Sequence, residues 1–518
     1  MSNSRSIQGI IVLILGVFLA IWLGLSIVTN QLETIFQVIG AAVLIGCLFL
    51  GKKIWLLIPF MGALNLQLRL PGQPTSLLLA QALVLGFCTL LLLMRKLPFR
   101  LQWTELELWV IILTLFIVQV FLRNPVGINL FGSENIGGRG YFLYTIALVS
   151  ALLFCGLRIP ATDLKWIIPL SVLGGLGNAA ISTVGRFVST VGFYTGTNAY
   201  SESINAGFEN KVIDENAATR VSFLAGFGSG LSLWISSYIS PLKACFKPLW
   251  AILVLTALIA TAMSGFRSGI ANTGLTLLLG IAYRSGFAGV AISIFGGISG
   301  LALLAVVNTL SPLPPNLQRA LTFLPGTWEE RYKQDAETSS EWRFEIWREV
   351  LLTDRWIHNK WLGDGLGFSA AQLAAQINAR EGARAGLSGF DAHRDTILSN
   401  GDYHSGPVST SRVIGYTGLI CFLLAQIRLA VHAHRQIQRC RGTAWFPLAL
   451  FIGIPLIYAP LFFVFIFGDF KTSASAFLLA AGMMRLLENN LPLPAYAKRS
   501  RTPYMLPAGN HARLTEQR

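Results

Sequence analysis

The distribution of polar residues along the chain constrains the fold more than any other feature of the sequence. Apolar runs follow one another almost continuously as far as Leu310, a charged stretch of roughly a hundred residues comes next, and apolar runs then resume. Most runs approach the roughly 20 residues that a helix needs to cross about 30 Å of hydrocarbon. With 53% hydrophobic and only 13% charged residues, this pattern predicts a polytopic membrane protein rather than soluble domains.

The composition of the runs is typical of helices, so we expect an all-α fold with about twelve to fourteen transmembrane helices. The chain divides into an N-terminal transmembrane bundle (1–310), a large loop (311–408), C-terminal transmembrane helices (409–488) and a tail (489–518). The candidate spans are 7–29, 34–50, 54–66, 76–94, 106–122, 141–157, 164–183, 221–240, 244–263, 268–283, 286–310, 412–431, 445–468 and 472–487. The run at 54–66 is short enough to be an interfacial or re-entrant segment instead.

Basic residues in the short loops predict the orientation of the chain. They cluster at 95–100, 243–247 and 435–441 and in the tail at 498–501. The positive-inside rule places all four segments in the cytoplasm, so the loop 311–408 lies outside, in the periplasm if the source is a bacterium. These segments and their contact with anionic lipids explain much of the net charge of +15, and we predict no nucleic-acid partner.

One segment of the large loop has the pattern of an amphipathic helix. Ser339 to Glu341 offer an N-cap, and Phe344, Trp347 and Leu351 recur at i, i+3 and i+7. The pattern predicts a helix on the membrane surface, with arginines on either side of its apolar stripe. A glycine-rich turn, Gly-Asp-Gly-Leu-Gly at 363–367, ends the segment.

Three arginines are candidates for binding an anion. Arg267 stands between two apolar runs with almost no loop around it, which favours a functional residue or a snorkelling interfacial one. Arg343 and Arg348 have the charge and the planar shape to bind a diphosphate through paired hydrogen bonds. The alternative for these two is a solvated helix face that is balanced by the neighbouring glutamates.

His404 is a candidate base, because it lies just before a span in a stretch bounded by glycines. The alternative is a polar loop histidine that has no catalytic role. A metal site is a further alternative, with the acidic and histidine ligands Asp391, His393, Asp395, Asp402 and His404. Arg394 stands in the middle of that set and argues against it, so we predict no metal.

Taken in order, these motifs resemble the O-antigen ligase and O-antigen polymerase superfamily. The motifs are Ser-Gly-Phe-Arg-Ser-Gly at 264–269, Arg343 with Trp347 and the turn 363–367, and His404 followed by Gly-Tyr-Thr-Gly at 415–418. The resemblance covers about a third of the chain. The usual His-Asn pair of the family reads His404-Ser405 here, and His393 is the alternative base.

The resemblance implies a helical fold like that of membrane glycosyltransferases of the GT-C type. It implies an inverting transfer of a glycan, without metal or other cofactor, from an undecaprenyl-diphosphate carrier at the outer face of the bacterial inner membrane. The acceptor is then lipid A core or another lipid-linked glycan, and a chain-length regulator is a further partner to be expected. Arg267 and Arg343 would bind the diphosphate, with Arg348 beside them, and His404 would be the base.

Two other functions remain as alternatives. A polysaccharide or lipid-linked sugar transporter would place ionisable residues along a central path in the membrane, whereas the spans here are almost free of acids. A metal-dependent glycosyltransferase would need an acidic motif in an early external loop, where 124–140 offers only Glu134. Secondary binding candidates without a motif are Arg139, Arg186 and Arg220.

Overall fold

The computed structural model describes residues 50–69, 73–127, 137–195, 221–368 and 403–491, with residues 46, 398 and 401 in addition. Every regular element in these ranges is a helix, apart from two isolated β-bridges. The expectation of an all-α fold is therefore confirmed for the part of the chain that is described. The candidate spans 7–29 and 34–50 lie outside it.

The helices follow one another with short connections. A 3₁₀ turn at Gly51–Leu56 comes first, and the helices are α1 (Leu57–Leu64), α2 (Ser76–Leu93), α3 (Glu105–Arg123), α4 (Arg139–Gly156), α5 (Ala161–Leu164), α6 (Ile167–Phe187), α7 (Ser189–Thr195), α8 (Ser222–Tyr238), α9 (Pro241–Ala244), α10 (Pro248–Met263), α11 (Arg267–Leu310), α12 (Pro315–Leu321), α13 (Glu330–Leu352), α14 (Gly406–Cys440), α15 (Phe446–Phe465) and α16 (Phe470–Asn490).

The molecule is a multi-pass membrane protein. Among the described residues, seven helical stretches are long and apolar enough to cross a membrane: α2, α3, α4, α5 with α6, α11, α14 and α15. Helix α10 is apolar as well but shorter. The total of twelve to fourteen spans stays a prediction. The runs 7–29 and 34–50 are not described, and the predicted spans 54–66, 221–240, 244–263 and 472–487 correspond to helices that are shorter or less apolar than these seven.

Helix α11 bends sharply at Gly286 and accounts for two predicted spans. Gly286 has φ +71° and ψ −167°, a conformation that is essentially restricted to glycine. Beyond the bend the chain returns to the level at which α11 began, because Asn316 Nδ2 donates to the carbonyl oxygen of Met263 at 3.0 Å. Each half, 267–285 and 287–310, is about 28 Å long or more, so each can span the hydrocarbon.

Helix α14 begins at Gly406, six residues before the start that the sequence predicted. The expected start at Arg412 is wrong because 409–412 is polar, and hydropathy excluded it from the span. Two of its hydroxyl groups are satisfied inside the helix: Thr410 Oγ1 donates to Gly406 O at 2.7 Å, and Ser411 Oγ donates to Pro407 O at 2.9 Å. A break at Gly415, with φ +73° and ψ 177°, separates a short buried helix at 406–414 from the long segment 416–440.

Helix α13 confirms the predicted helix in the loop but corrects its limits. It begins at Glu330, so the expected N-cap at 339–341 lies inside it. Ile346 and Val350 are fully buried, and together with Trp347 of the predicted stripe they pack around Tyr403. Phe344 is 66% exposed and Leu351 is 37% exposed, so contact of this stripe with a membrane surface stays a prediction.

Two faces of the helix bundle can be distinguished. Helix α3 begins beside the loop 95–104 and buries Leu106, Val110, Leu113, Ile117 and Val120 at helical spacing. At this first face, the loop contacts the chain after α4, since the Arg100 amide donates to Gly156 O at 2.7 Å. The other end of α3, about 28 Å away, contacts the residues of the large loop around Leu362.

A buried ion pair holds three helices together at the first face. Arg485 of α16 is 3% exposed and donates from Nε to Glu107 Oε1 of α3 at 2.6 Å. The same guanidinium pairs with Glu488, which also accepts from Arg439 Nη1 of α14 at 3.1 Å. A buried ion is costly once its partner is removed, so this network fixes the ends of α3, α14 and α16 against one another.

Two glutamates of α3 provide a matched test of this network. We expect Glu107→Gln to lower the free energy of unfolding by about 3 kcal/mol, because it leaves the buried Arg485 with less negative charge. Glu105→Gln removes an exposed pair with Arg428 and should cost at most about 1 kcal/mol. Thermal unfolding in detergent micelles measures both, and equal shifts of the two midpoints would contradict the assigned role.

Candidate functional site

Arg267 lies at the second face of the bundle, at the start of α11. The preceding Gly265 has a left-handed φ of +72°, and the Ser264 hydroxyl accepts from the Phe266 amide at 3.2 Å. Arg319 of α12 is buried and donates from Nη1 to the carbonyl oxygen of Gly265 at 3.0 Å. The short turn before Arg267 is therefore tied directly to a second arginine.

Arg343 of α13 reaches the same region. Burial lowers the pKa of its guanidinium, and the charges of Arg267 and Arg319 lower that pKa further. A guanidinium stays protonated in any case, so three positive charges interact here. The Nε atom of Arg343 is buried and has no hydrogen-bond partner among the residues that the structure describes. Such a group of cations is stabilised by an anion that can accept hydrogen bonds.

Helix α13 is held in place by side chains at the junction with α12. Gln318 Nε2 donates to Glu329 Oε1 at 2.9 Å and to the carbonyl oxygen of Leu313 at 2.8 Å. The Gln318 carbonyl in turn accepts from the Glu329 amide at 3.3 Å. This arrangement fixes the first turn of α13 beside Arg319, one residue further along α12.

His404 lies at the N-terminal end of α14 and is connected to α13 through its neighbour. Trp347 Nε1 donates to the carbonyl oxygen of Tyr403 at 2.8 Å. Trp347 follows Arg343 by one helical turn, which is about 6 Å along the axis. His404 is half-buried, with its ring 6.1 Å from the ring of Phe467, and its φ of +49° is left-handed. Helix α13 thus links the arginines to the candidate base.

The glycine turn at 363–367 fills the break in α14. The amides of Asp364 and Gly365 donate to the carbonyl oxygens of Arg412 and Val413 at 2.6 and 3.1 Å. The amide of Tyr416, beyond the break, donates to Lys360 O at 2.8 Å. A broken helix frees backbone groups that must find partners in a membrane protein, and this turn supplies them.

The same turn is fastened to α3 and α4. Arg123 Nη2 donates to the carbonyl oxygens of Leu362 and Gly363 at 2.9 and 2.7 Å. The Tyr141 hydroxyl accepts from the Leu366 amide at 3.2 Å. The glycine-rich turn is therefore joined to three helices, α3, α4 and α14, and has a structural role.

The remaining predicted residues lie in different surroundings. Arg348 is exposed and is not among the charges that shift the pKa of Arg343. Arg139 is buried and donates to the carbonyl oxygen of Gln73 at 3.0 Å, a structural contact, and Arg186 is exposed. The candidates His393, Asp391, Asp395, Asp402 and Arg220 lie outside the described residues.

Within the described ranges, no group of three or more histidine, cysteine or acidic side chains is arranged to hold a metal ion. The metal-site alternative involves mainly residues beyond those ranges and stays untested.

Two buried arginines near the site were missed by the sequence analysis. Arg319 is the single charged residue in the mostly apolar stretch 317–324, and that isolation is the one sequence signal that marks it. Arg412 is 4% exposed and lies in the short helix that follows His404. Neither belongs to a recognisable motif, because contacts far apart in the chain define their surroundings.

No protein-family model matches the chain, and no curated protein is similar to it.

The break at Gly415 can be tested by substitution. We expect Gly415→Ala to lower the free energy of unfolding by about 1–3 kcal/mol, since the backbone conformation suits glycine alone and a Cβ would strike the carbonyl of Trp361. Gly274→Ala, in a helix with open space around it, should leave stability unchanged or raise it. Thermal unfolding in detergent compares the two, and a harmless Gly415→Ala would refute the role of the break.

Proposed function

We propose that this protein is a glycosyltransferase of the O-antigen ligase and polymerase type in the bacterial inner membrane. It moves a glycan from an undecaprenyl-diphosphate carrier to an acceptor at the periplasmic face, in the biosynthesis of a surface polysaccharide. The observation that carries the proposal is the half-buried Arg343, with an unsatisfied Nε atom and with Arg267 and Arg319 close enough to lower its pKa.

The arginines have the chemistry that the departing group needs. When the bond between the sugar anomeric carbon and the carrier oxygen breaks, the electron pair stays on the diphosphate and its negative charge grows. Guanidinium groups offer charge and paired donors to phosphate oxygens, and they do so in place of a divalent cation. Arg319 fixes the turn before Arg267. This contact holds the charges of Arg267 and Arg319 in place beside that of Arg343 on α13.

His404 supplies the opposite function in the proposal. Its imidazole takes the proton of the acceptor hydroxyl, and the acceptor oxygen then forms the new bond to the anomeric carbon from the face opposite the diphosphate. That geometry inverts the configuration of the sugar. The contact between Trp347 and Tyr403 sets the spacing between the base and the arginines, because the same helix carries Trp347 and Arg343.

A cavity between the membrane helices suits the lipid part of the carrier. Its volume is about 500 Å³, and it is lined by residues of α1, α6, α8, α11 and α15. Asn272 and Thr276 line it from α11, about 8 and 14 Å along the helix from Arg267. A carrier with its diphosphate at the arginines would extend its isoprenoid chain into this cavity.

The location of charge argues against the transporter alternative. Among the described residues, buried charged side chains such as Glu107, Arg139, Arg319 and Arg485 lie within about two turns of a helix end rather than along a central path. Ligase and polymerase differ only in the acceptor. In a strain without the gene, single repeat units would identify a polymerase, and long chains left on the carrier would identify a ligase.

Transfer by the purified protein tests the two halves of the site separately. We expect His404→Ala to reduce the rate about 10²–10⁴-fold through loss of the base. We expect Arg343→Gln to reduce it about 10²–10³-fold through loss of charge on the diphosphate. Arg355→Gln is the control, because Arg355 is exposed and stacks on Trp356 outside the site.

The assay uses an undecaprenyl-diphosphate oligosaccharide in detergent and counts carrier-free product. A chelator should leave the wild-type rate unchanged. Normal rates for both site variants at normal expression would refute the proposed mechanism, and no transfer by the wild type with either acceptor would refute the proposed function.

Cavity filling tests the path of the lipid. Gly175 lines the cavity, and a Cβ there has nothing within 4 Å, so Gly175→Leu fills space without a clash. We expect the KM for a full-length carrier to rise about tenfold, which corresponds to ~1.4 kcal/mol of lost apolar contact. A short prenyl analogue should keep its KM. Gly274→Leu, equally uncrowded but not lining the cavity, is the control, and equal effects on both carriers would exclude this path.

A further inference from the structure

We propose that Arg412 is a positioning residue that holds the turn formed by Gly401 and residues 403–405, and with it His404, in one conformation. The importance of this turn for transfer rests on the proposed function. The packing of Arg412 itself does not depend on it. Arg412 lies in the second turn of α14 and extends back over the start of its own helix.

The guanidinium of Arg412 is enclosed by two segments that are distant in sequence. Its Cζ atom lies 4.3 Å from the centre of the Phe368 ring. On another side it meets Gly401, where a Cβ would come within 2.7 Å of Cζ. Only a glycine leaves this space, and Gly401 also has a φ of +77°, which glycine adopts without strain. Phe368 and Gly401 are therefore joined through a single side chain.

The burial of Arg412 implies a specific role. The residue is 4% exposed, and it forms no ion pair with the residues that the structure describes. Enclosing a permanent charge costs free energy, and stacking on an aromatic ring returns only part of it. An apolar residue of similar size would avoid the cost. The planar guanidinium is suited to the space between a ring and a glycine backbone, where lysine would not fit in the same way.

The turn that Arg412 contacts needs such support. His404 has a left-handed φ of +49°, a conformation that a side chain adopts only where the surroundings hold it. Trp347 binds the carbonyl of Tyr403 from one side, and Arg412 packs against Gly401 three residues before the histidine. The carbonyl of Arg412 also accepts from the Asp364 amide at 2.6 Å. Arg412 thus connects the glycine turn at 363–367 to the turn that carries His404.

Chemical labelling of histidine tests the proposal without an activity assay. The full-length protein in detergent is treated with diethyl pyrocarbonate, and the modification rates of His404 and His358 are measured from peptic peptides by mass spectrometry. His358 has an 81% exposed side chain and serves as the internal reference. We expect Arg412→Gln and Arg412→Lys each to raise the ratio of the His404 rate to the His358 rate at least about threefold, because the turn opens more often.

Two further variants make the result decisive. Phe368→Leu removes the ring but leaves the guanidinium, so it should raise the same ratio and carries the test if the Arg412 variants do not fold. Arg355→Gln removes an exposed stack on Trp356, with Cζ 4.5 Å from the ring centre, and should leave the ratio unchanged. A ratio that rises less than about threefold in Arg412→Gln and Phe368→Leu overturns the proposal. The proposal is also overturned if Arg412→Lys has the same ratio of His404 to His358 modification rates as the wild type. A positive charge without the planar stack would then be sufficient.

Loss of transfer activity distinguishes this inference from the function. If the wild type proves inactive on lipid-linked glycans but the labelling ratio rises, the positioning role stands and the proposed reaction falls. If transfer is confirmed and the ratio stays constant, the reaction stands and Arg412 has another role.

Discussion

The candidate site depends on one helix that presents two different side chains from its buried face. Helix α13 carries Arg343 toward Arg267 and Arg319, and one turn later it carries Trp347 toward the residue before His404. The apolar contacts of Ile346 and Val350 hold this face against the residues around Tyr403. A rotation of α13 about its axis would therefore separate the arginines from each other and from the histidine at the same time.

Glycines make this arrangement compatible with a membrane protein. The bends at Gly286 and Gly415 both use backbone conformations that side chains disfavour strongly, and each reverses or interrupts a long apolar helix. At Gly415, the freed backbone groups bind the turn 363–367, which α3 and α4 hold from the other side. The large loop is thereby joined to the bundle through its backbone, so its position does not rest on side-chain packing alone.

The sequence predicted the helical class of the fold because hydrophobic length is a local signal. The all-helical fold of the described residues and the two helical segments that meet at Gly286 both follow from runs of apolar residues. Hydropathy failed at the start of α14, where the buried Thr410 and Ser411 donate to carbonyl oxygens of their own helix. Periodicity predicted helix α13 but did not indicate that Ile346 and Val350 are its fully buried residues, because a tertiary partner determines this.

The sequence indicated only some of the arginines near the candidate site, for a similar reason. Arg267 and Arg343 were recognisable from their motifs, and the structure brings their charges together. Arg319 and Arg412 were not recognisable, because what makes them notable is burial against segments far away in the chain. Sequence patterns indicate which residue types are present, whereas long-range contacts decide which of them lose contact with water.

The ion pair between Arg485 and Glu107 has a consequence for which helices are fixed against one another. It joins α3, α14 and α16 at one face of the bundle. The glycine turn at 363–367 joins α3 and α14 at the other face, so these two helices are fixed at both ends. The second half of α11 is different, since its apolar side chains such as Phe287, Phe295 and Leu310 are largely exposed to the lipid side. Within the described residues, the fixed part of the fold is thus the group α3, α14 and α16, whereas the second half of α11 carries its apolar side chains on the outside.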